Sequence, residues 1–168
     1  MSPLAALTLS ITVLAAIDTY LTATILPLPV WVTFIAWASF FACGGGTQGF
    51  IKSVISNWVG VLIGTVALLI IQFAPESPVL AALSVGVCSG AMIVASAAPS
   101  LKYPPAIVFG FASFFSTVFG TGHGVFEIGM HHPTFVAMAS MLLGAGFGIV
   151  SEYFANALTV RAPEMAKT

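Results

Sequence analysis

Gln48 and His123 are the polar side chains best placed to do chemistry, because each sits in a glycine-rich stretch of an otherwise apolar chain. The first stretch is Gly44-Gly45-Gly46-Thr47-Gln48-Gly49, and the second is Gly120-Thr121-Gly122-His123-Gly124. Glycine lets the backbone turn and approach a neighbour closely. An amide, an imidazole, the Thr47 and Thr121 hydroxyls and the freed backbone groups could together hydrogen-bond a small solute that has shed its water. Trp37, Phe41, Phe115 and Phe119 lie just before these stretches and would form an apolar constriction. In the competing reading both stretches are plain loops at opposite surfaces, with Gln48 and His123 interfacial.

Asp18 is the sole carboxylate within the first apolar run. A charge in lipid costs roughly 2.5–3.5 kcal/mol on insertion scales, so Asp18 should face the bundle or water, or be protonated. Asn57 stands beside Trp58 and either lines a path or ties helices together by a hydrogen bond. Glu152 lies near the end of the last apolar run, where it reaches water. His123, Glu127, His131 and His132 are close in sequence, and histidine and carboxylate ligate zinc-like ions. Their spacing forms no strong metal motif, so neither a metal nor another cofactor is expected. The first glycine stretch lacks the lysine of a phosphate-binding loop. No nucleophile, base and acid set can be assembled, so an enzyme is not expected.

The elements that must position these residues are transmembrane helices. Of the 168 residues, 59% are hydrophobic and 5% charged, where a soluble domain carries roughly 25% charged residues. A net charge of −1 gives no support for a nucleic-acid partner. Cys43 and Cys88 form no disulfide framework and are expected to pack. The first apolar stretch lacks the basic region of a signal peptide and is taken as a helix of the mature protein. The chain therefore predicts one all-α polytopic domain over 1–168, with the lipid bilayer as its first partner.

Six apolar segments follow, at about 3–25, 30–43, 53–73, 79–98, 106–119 and 133–158, with a polar tail at 159–168. The second and fifth are short: about 14 residues at 1.5 Å each span about 21 Å of a roughly 30 Å hydrocarbon core. Each should stop inside the membrane or continue through its glycine stretch, which is tolerable only against protein or a wet cavity. Six crossings put Lys52, Lys102, Arg161 and Lys167 on one face and Glu76 and Glu127 on the other. Basic residues favour the cytoplasmic side, so both termini are expected there.

The halves resemble each other. Ala38-Ser39-Phe40-Phe41 precedes the first glycine stretch and Ala112-Ser113-Phe114-Phe115 the second. Each is followed by a glycine-dotted segment, with Gly60 and Gly64 in the first half and Gly144, Gly146 and Gly148 in the second. Halves at about 3–76 and 77–158, each with three crossings, would form an inverted repeat with its site at the repeat interface.

The aromatic run from Trp31 to Phe41, then Ala42-Cys43-Gly44-Gly45-Gly46, and the later Phe119 to Gly124 feature resemble the YcdZ-like family of small bacterial inner-membrane proteins. The resemblance covers roughly 28–153 and implies an inner-membrane location, with no activity to carry over. The three-plus-three pattern with short central helices is also similar to channels of the urea-transporter type. The expected function is a channel or facilitator for a small neutral or weakly polar solute, in a symmetric homo-oligomer. The alternatives are a proton- or ion-coupled transporter, with Asp18 and His123 titrating, and a non-transporting membrane subunit.

Overall fold

A computed structural model describes residues 1–159. The predicted tail, with Arg161 and Lys167, lies beyond Thr159 and outside the described residues. The described chain is six helices: α1 (Pro3–Thr24), α2 (Val30–Ala42), α3 (Gly46–Ile71), α4 (Pro78–Ala95), α5 (Pro104–Thr121) and α6 (Pro133–Leu158). A 3-10 turn, Pro99–Leu101, precedes α5. All but α2 are long and apolar enough to cross a membrane, and the protein is an all-α polytopic membrane protein. The helix starts follow from local chemistry. Ser2 accepts from Ala5 N and Ser77 from Leu80 N, each followed by proline in the first helical turn, where the missing N–H is no loss.

Two boundaries differ from the sequence expectation. The third helix begins at Gly46 rather than near Ser53, so Thr47, Gln48 and Gly49 form its first turn and not a break in the membrane. The reversal is completed in three residues, because Gly44, Gly45 and Gly46 all have positive φ. Glu152 on α6 then accepts from Gly46 N at 2.6 Å, so a carboxylate distant in sequence satisfies this helix start. The fifth helix is not truncated. It runs unbroken for 18 residues, because Pro104 and Pro105 open it, Gly120 is helical, and left-handed Gly122 ends it. Gly124 has no positive φ, so the turn glycines are Gly44, Gly45, Gly46 and Gly122 of those expected.

The 13 residues of α2 span about 20 Å, yet the helix is central. It packs on α1, α3, α5 and α6, with Val32, Thr33, Ala36, Trp37, Ser39 and Phe40 buried. The main helix pairs are α3 with α5 and α2 with α6. Outside them, α1 lies on α6 and α4 on α3. Each outer helix buries one stripe, Ala6, Ser10, Leu14 and Asp18 in α1 and Ser84, Cys88 and Met92 in α4. Leu4, Tyr20, Val79 and Val87 stand exposed on their other faces, as lipid contact requires.

The described ends differ in charge. Met1 donates its amino group to Leu158 O at 3.1 Å, so both ends of the helical bundle's chain share one face. Lys52 and Lys102 line a common cavity there. Glu76 follows α3, and Gln72, its near neighbour in that turn, lines a groove with Glu127 at the opposite face.

Candidate functional site

The buried polar groups gather along α3. Ser53, Asn57, Val61 and Thr65 are spaced one turn apart, so they share one stripe of the helix. Asn57 is fully buried and accepts from Ser39 Oγ on α2 at 3.0 Å, while its amide donates to Ser53 Oγ at 3.2 Å. Ser53 Oγ donates in turn to Ser39 Oγ at 3.0 Å, closing a three-membered ring of hydrogen bonds. Further along the stripe, Thr65 and Thr134 share a hydrogen bond of 2.7 Å between α3 and α6. Thr134 N is capped by His132 at the start of α6. Between the two polar groups sits Val61, fully buried in an apolar cluster with Phe114 and Met141. The arrangement is thus polar, apolar, polar along the bundle.

Glycine makes this closeness possible at two crossings. A Cβ at Gly60 would overlap the Ile107 carbonyl of α5, and one at Gly144 would overlap the Thr33 carbonyl of α2. Two buried hydroxyls, Ser56 Oγ and Ser113 Oγ, find no protein partner.

A second polar pair joins α1 to α2. Asp18 is fully buried, and its Oδ2 accepts from Thr33 Oγ1 at 2.5 Å. Its Oδ1 has no partner. Asp18 is the only carboxylate or base among the buried residues described. A carboxyl group inside a bundle, without a cation beside it, is expensive and is a functional candidate by default.

Gln48 and His123 do not meet. Gln48 and Thr47 are exposed in the first turn of α3, while His123 lies half-buried in the loop after α5, at the opposite face. Thr121 donates to Thr117 O within α5. Among the aromatics, Trp37 is buried, stacks between Phe34 and Phe147, and donates to Ser151 Oγ at 3.0 Å. Phe115 packs among Phe111, Phe114 and Phe119, and Phe41 lies edge-on to Phe40. Phe119 is largely exposed. The aromatics therefore divide between α2 and α5 packing. In the loop, His123 Nδ1 lies 3.2 Å from Glu127, and its ring lies 5.5 Å from that of His131. Among the described residues, no group of three or more His, Cys, Asp or Glu is placed to hold a metal ion.

The sequence reading found Asp18 and Asn57 and missed Ser39, Ser53, Thr33, Thr65 and Thr134. Ser39 and Ser113 were visible in the repeated Ala-Ser-Phe-Phe motif, where the aromatics drew attention instead.

A family model described as "Protein of unknown function (DUF1097)" matches residues 8–156. The chain belongs to the DUF1097 family. The match covers α2 to α5 and most of α1 and α6 of this DUF1097 protein, including the α3 stripe and Asp18, and it attaches no activity to them. No curated protein and no solved structure matches the chain.

Proposed function

We propose that this DUF1097 protein is a facilitator that passes a small neutral or weakly polar solute through its own bundle. The observation that carries the reading is the α3 stripe, where Ser53, Asn57 and Thr65 offer hydrogen bonds on either side of Val61. A solute leaving water needs replacement partners, and the stripe supplies them at two depths. Val61, Phe114 and Met141 form the barrier between those depths. The polar seam lies within one chain, so the reading needs no oligomeric pore, and a homo-oligomer is a separate proposal tested by mass measurement in lipid.

An inverted repeat supports this use of the fold. The offset in numbering that relates Ser39 to Ser113 also relates Ser10 to Ser84, Leu14 to Cys88 and Thr33 to Ile107. A second offset relates Gly60 to Gly144, Gly64 to Gly148 and Ala67 to Ser151. Under these two offsets the hydrogen bond from Ser10 Oγ to Ser151 O, at 2.8 Å, corresponds to that from Ser84 Oγ to Ala67 O, at 2.9 Å. The close approach of Gly60 to Ile107 likewise corresponds to that of Gly144 to Thr33. The packing of α3 on α5 becomes that of α6 on α2. Three helices per half make the halves opposite in direction, an architecture that suits alternating access. The resemblance to the YcdZ-like family favours a bacterial inner-membrane location as part of this reading, and small amides are the first solutes to try.

The test is flux into vesicles containing the purified protein. Small amides, alcohols, ammonium and water should enter faster than into empty vesicles for at least one solute. Val61→Thr should raise that flux several-fold, because it extends the polar stripe through the barrier, at a stability cost of roughly 1–3 kcal/mol. Flux equal to that of empty vesicles for every solute would remove the facilitator reading.

Asp18 favours proton coupling as a second reading. The numbering offset places Met92 and Ile107 in the other half where Asp18 and Thr33 stand, and both are buried. The carboxyl is thus a departure from the repeat, as a group added for proton transfer would be. Under this reading an imposed pH gradient drives solute accumulation.

A further inference from the structure

A cavity of about 150 Å³ opens at the face that carries Met1, between the α2–α3 turn and the α4–α5 linker. Its chemistry comes from Cys43, Lys52, Ser56, Ser100, Lys102 and Tyr103. Lys52 and Ser56 stand one turn apart on α3, so the ammonium lies nearer the helix start and the hydroxyl one turn deeper. Lys102 and Tyr103 arrive from the linker. Leu101, buried in the apolar cluster that contains Cys88, Met92 and Ile107, pins that linker against the bundle. The position of the second lysine is therefore set by packing.

Three observations say what such a cavity takes. First, it gathers two of the four basic residues of the whole chain. Second, among the described residues neither lysine forms an ion pair, and Glu152, a carboxylate on the neighbouring α6, is committed to Gly46 N. Third, Ser56 is 1% exposed and its Oγ has no partner within the protein, yet it lines the cavity. A buried hydroxyl without a partner costs free energy that an acceptor in the cavity would recover. Burial also pushes the Cys43 thiol above its ordinary range, opposed by the Ser39 hydroxyl and the Lys52 charge. The thiol thus adds no competing negative charge.

The geometry points to a binding site for a phosphate group, held by Lys52 and Lys102 and receiving a hydrogen bond from Ser56 Oγ–H. Lysine binds phosphate as a point charge, and several acceptor oxygens on one small group can meet two ammoniums and a hydroxyl together. The phosphate belongs either to an anionic lipid headgroup at the membrane surface or to a small phosphate ion in the aqueous phase. The site stands whether or not the chain moves a solute.

The full chain, purified in a neutral detergent, is tested in two arms. In the lipid arm, native mass spectrometry counts bound phosphatidylglycerol against bound phosphatidylcholine. In the soluble arm, inorganic phosphate is titrated at constant ionic strength while the melting temperature is followed. Saturable binding in the lipid arm alone assigns a headgroup, and binding of inorganic phosphate assigns the free ion. In either case Lys52→Gln and Lys102→Gln should each weaken binding roughly tenfold, and Ser56→Ala by less. Both lysines are exposed, so the variants should melt like the wild type without ligand. Binding absent from both arms, or unchanged in the Lys52→Gln/Lys102→Gln double variant, would overturn the assignment.

Discussion

Asn57 and Ser56 are neighbours with opposite prospects. The Asn57 amide closes the ring with Ser39 and Ser53, so Asn57→Leu leaves the buried Ser39 hydroxyl proton without its acceptor, removes the donor to Ser53 Oγ, and forces a larger apolar group against both. The expected cost is roughly 1–3 kcal/mol, read as a lower melting temperature in detergent, together with loss of flux. Ser56 Oγ bonds nothing in the protein, so Ser56→Ala removes an unsatisfied buried hydroxyl and should leave stability unchanged or raise it, by up to roughly 1–3 kcal/mol. Asp18→Asn should fold normally, because its amide oxygen still accepts from Thr33 Oγ1. It should abolish accumulation driven by a pH gradient while leaving downhill flux in place. Equal pH-driven accumulation by Asp18→Asn and wild type would end the coupled reading. Asp18 and Asn57 were legible in the sequence because a carboxyl and an amide stand out in apolar runs. Ser39, Ser53 and Thr65 were not, because hydroxyl residues in a helix can bond their own backbone carbonyls and so signal nothing alone. Thr65 does bond Val61 O, and only the fold shows that its hydroxyl also meets Thr134.

At the scale of helices, glycine positions divide into two kinds. Gly60 and Gly144 face a neighbouring backbone, and a methyl group there has nowhere to go. Gly86, Gly90 and Gly146 have open space where a side chain would project. Gly60→Ala and Gly144→Ala should each push apart one main helix pair and lower stability by roughly 1–3 kcal/mol or more. Gly86→Ala and Gly146→Ala should be neutral or slightly stabilising, since alanine is the better helix former. Melting temperatures of the four variants check the division, and equal values for all four would mean that the crossings are looser than drawn. The first and last helices were legible almost to the residue, because prolines and a clear apolar run bound them. The starts and ends of α3 and α5 were misjudged, since Gly46, Gly49 and Gly120 look like breakers. The stabilising contact at the α3 start comes from Glu152, far away in sequence, and no local pattern announces it.

For the whole molecule, an even number of helices brings both ends of the bundle to one face, and the contact between Met1 and Leu158 fixes this geometrically. Which side of the membrane that face meets follows from charge. Lys52 and Lys102 lie there, whereas Glu76 and Glu127 lie opposite. Lysines near the ends of membrane helices are retained on the cytoplasmic side, and carboxylates contribute little to the choice. The face with Met1 is therefore expected in the cytoplasm. Two exposed positions test it, Glu76 after α3 and Ala97 in the α4–α5 linker. Each is changed to cysteine in a chain whose own Cys43 and Cys88 are replaced by alanine. In right-side-out vesicles a membrane-impermeant maleimide should label Glu76→Cys and spare Ala97→Cys, with the pattern reversed in inside-out vesicles. Labelling of both positions from one side would refute six crossings, because α4 alone separates Glu76 from Ala97 and would then not cross the membrane. Labelling with the sides exchanged would keep the fold and overturn the orientation. It would also carry the phosphate cavity to the outer face and the His123 loop to the inner one.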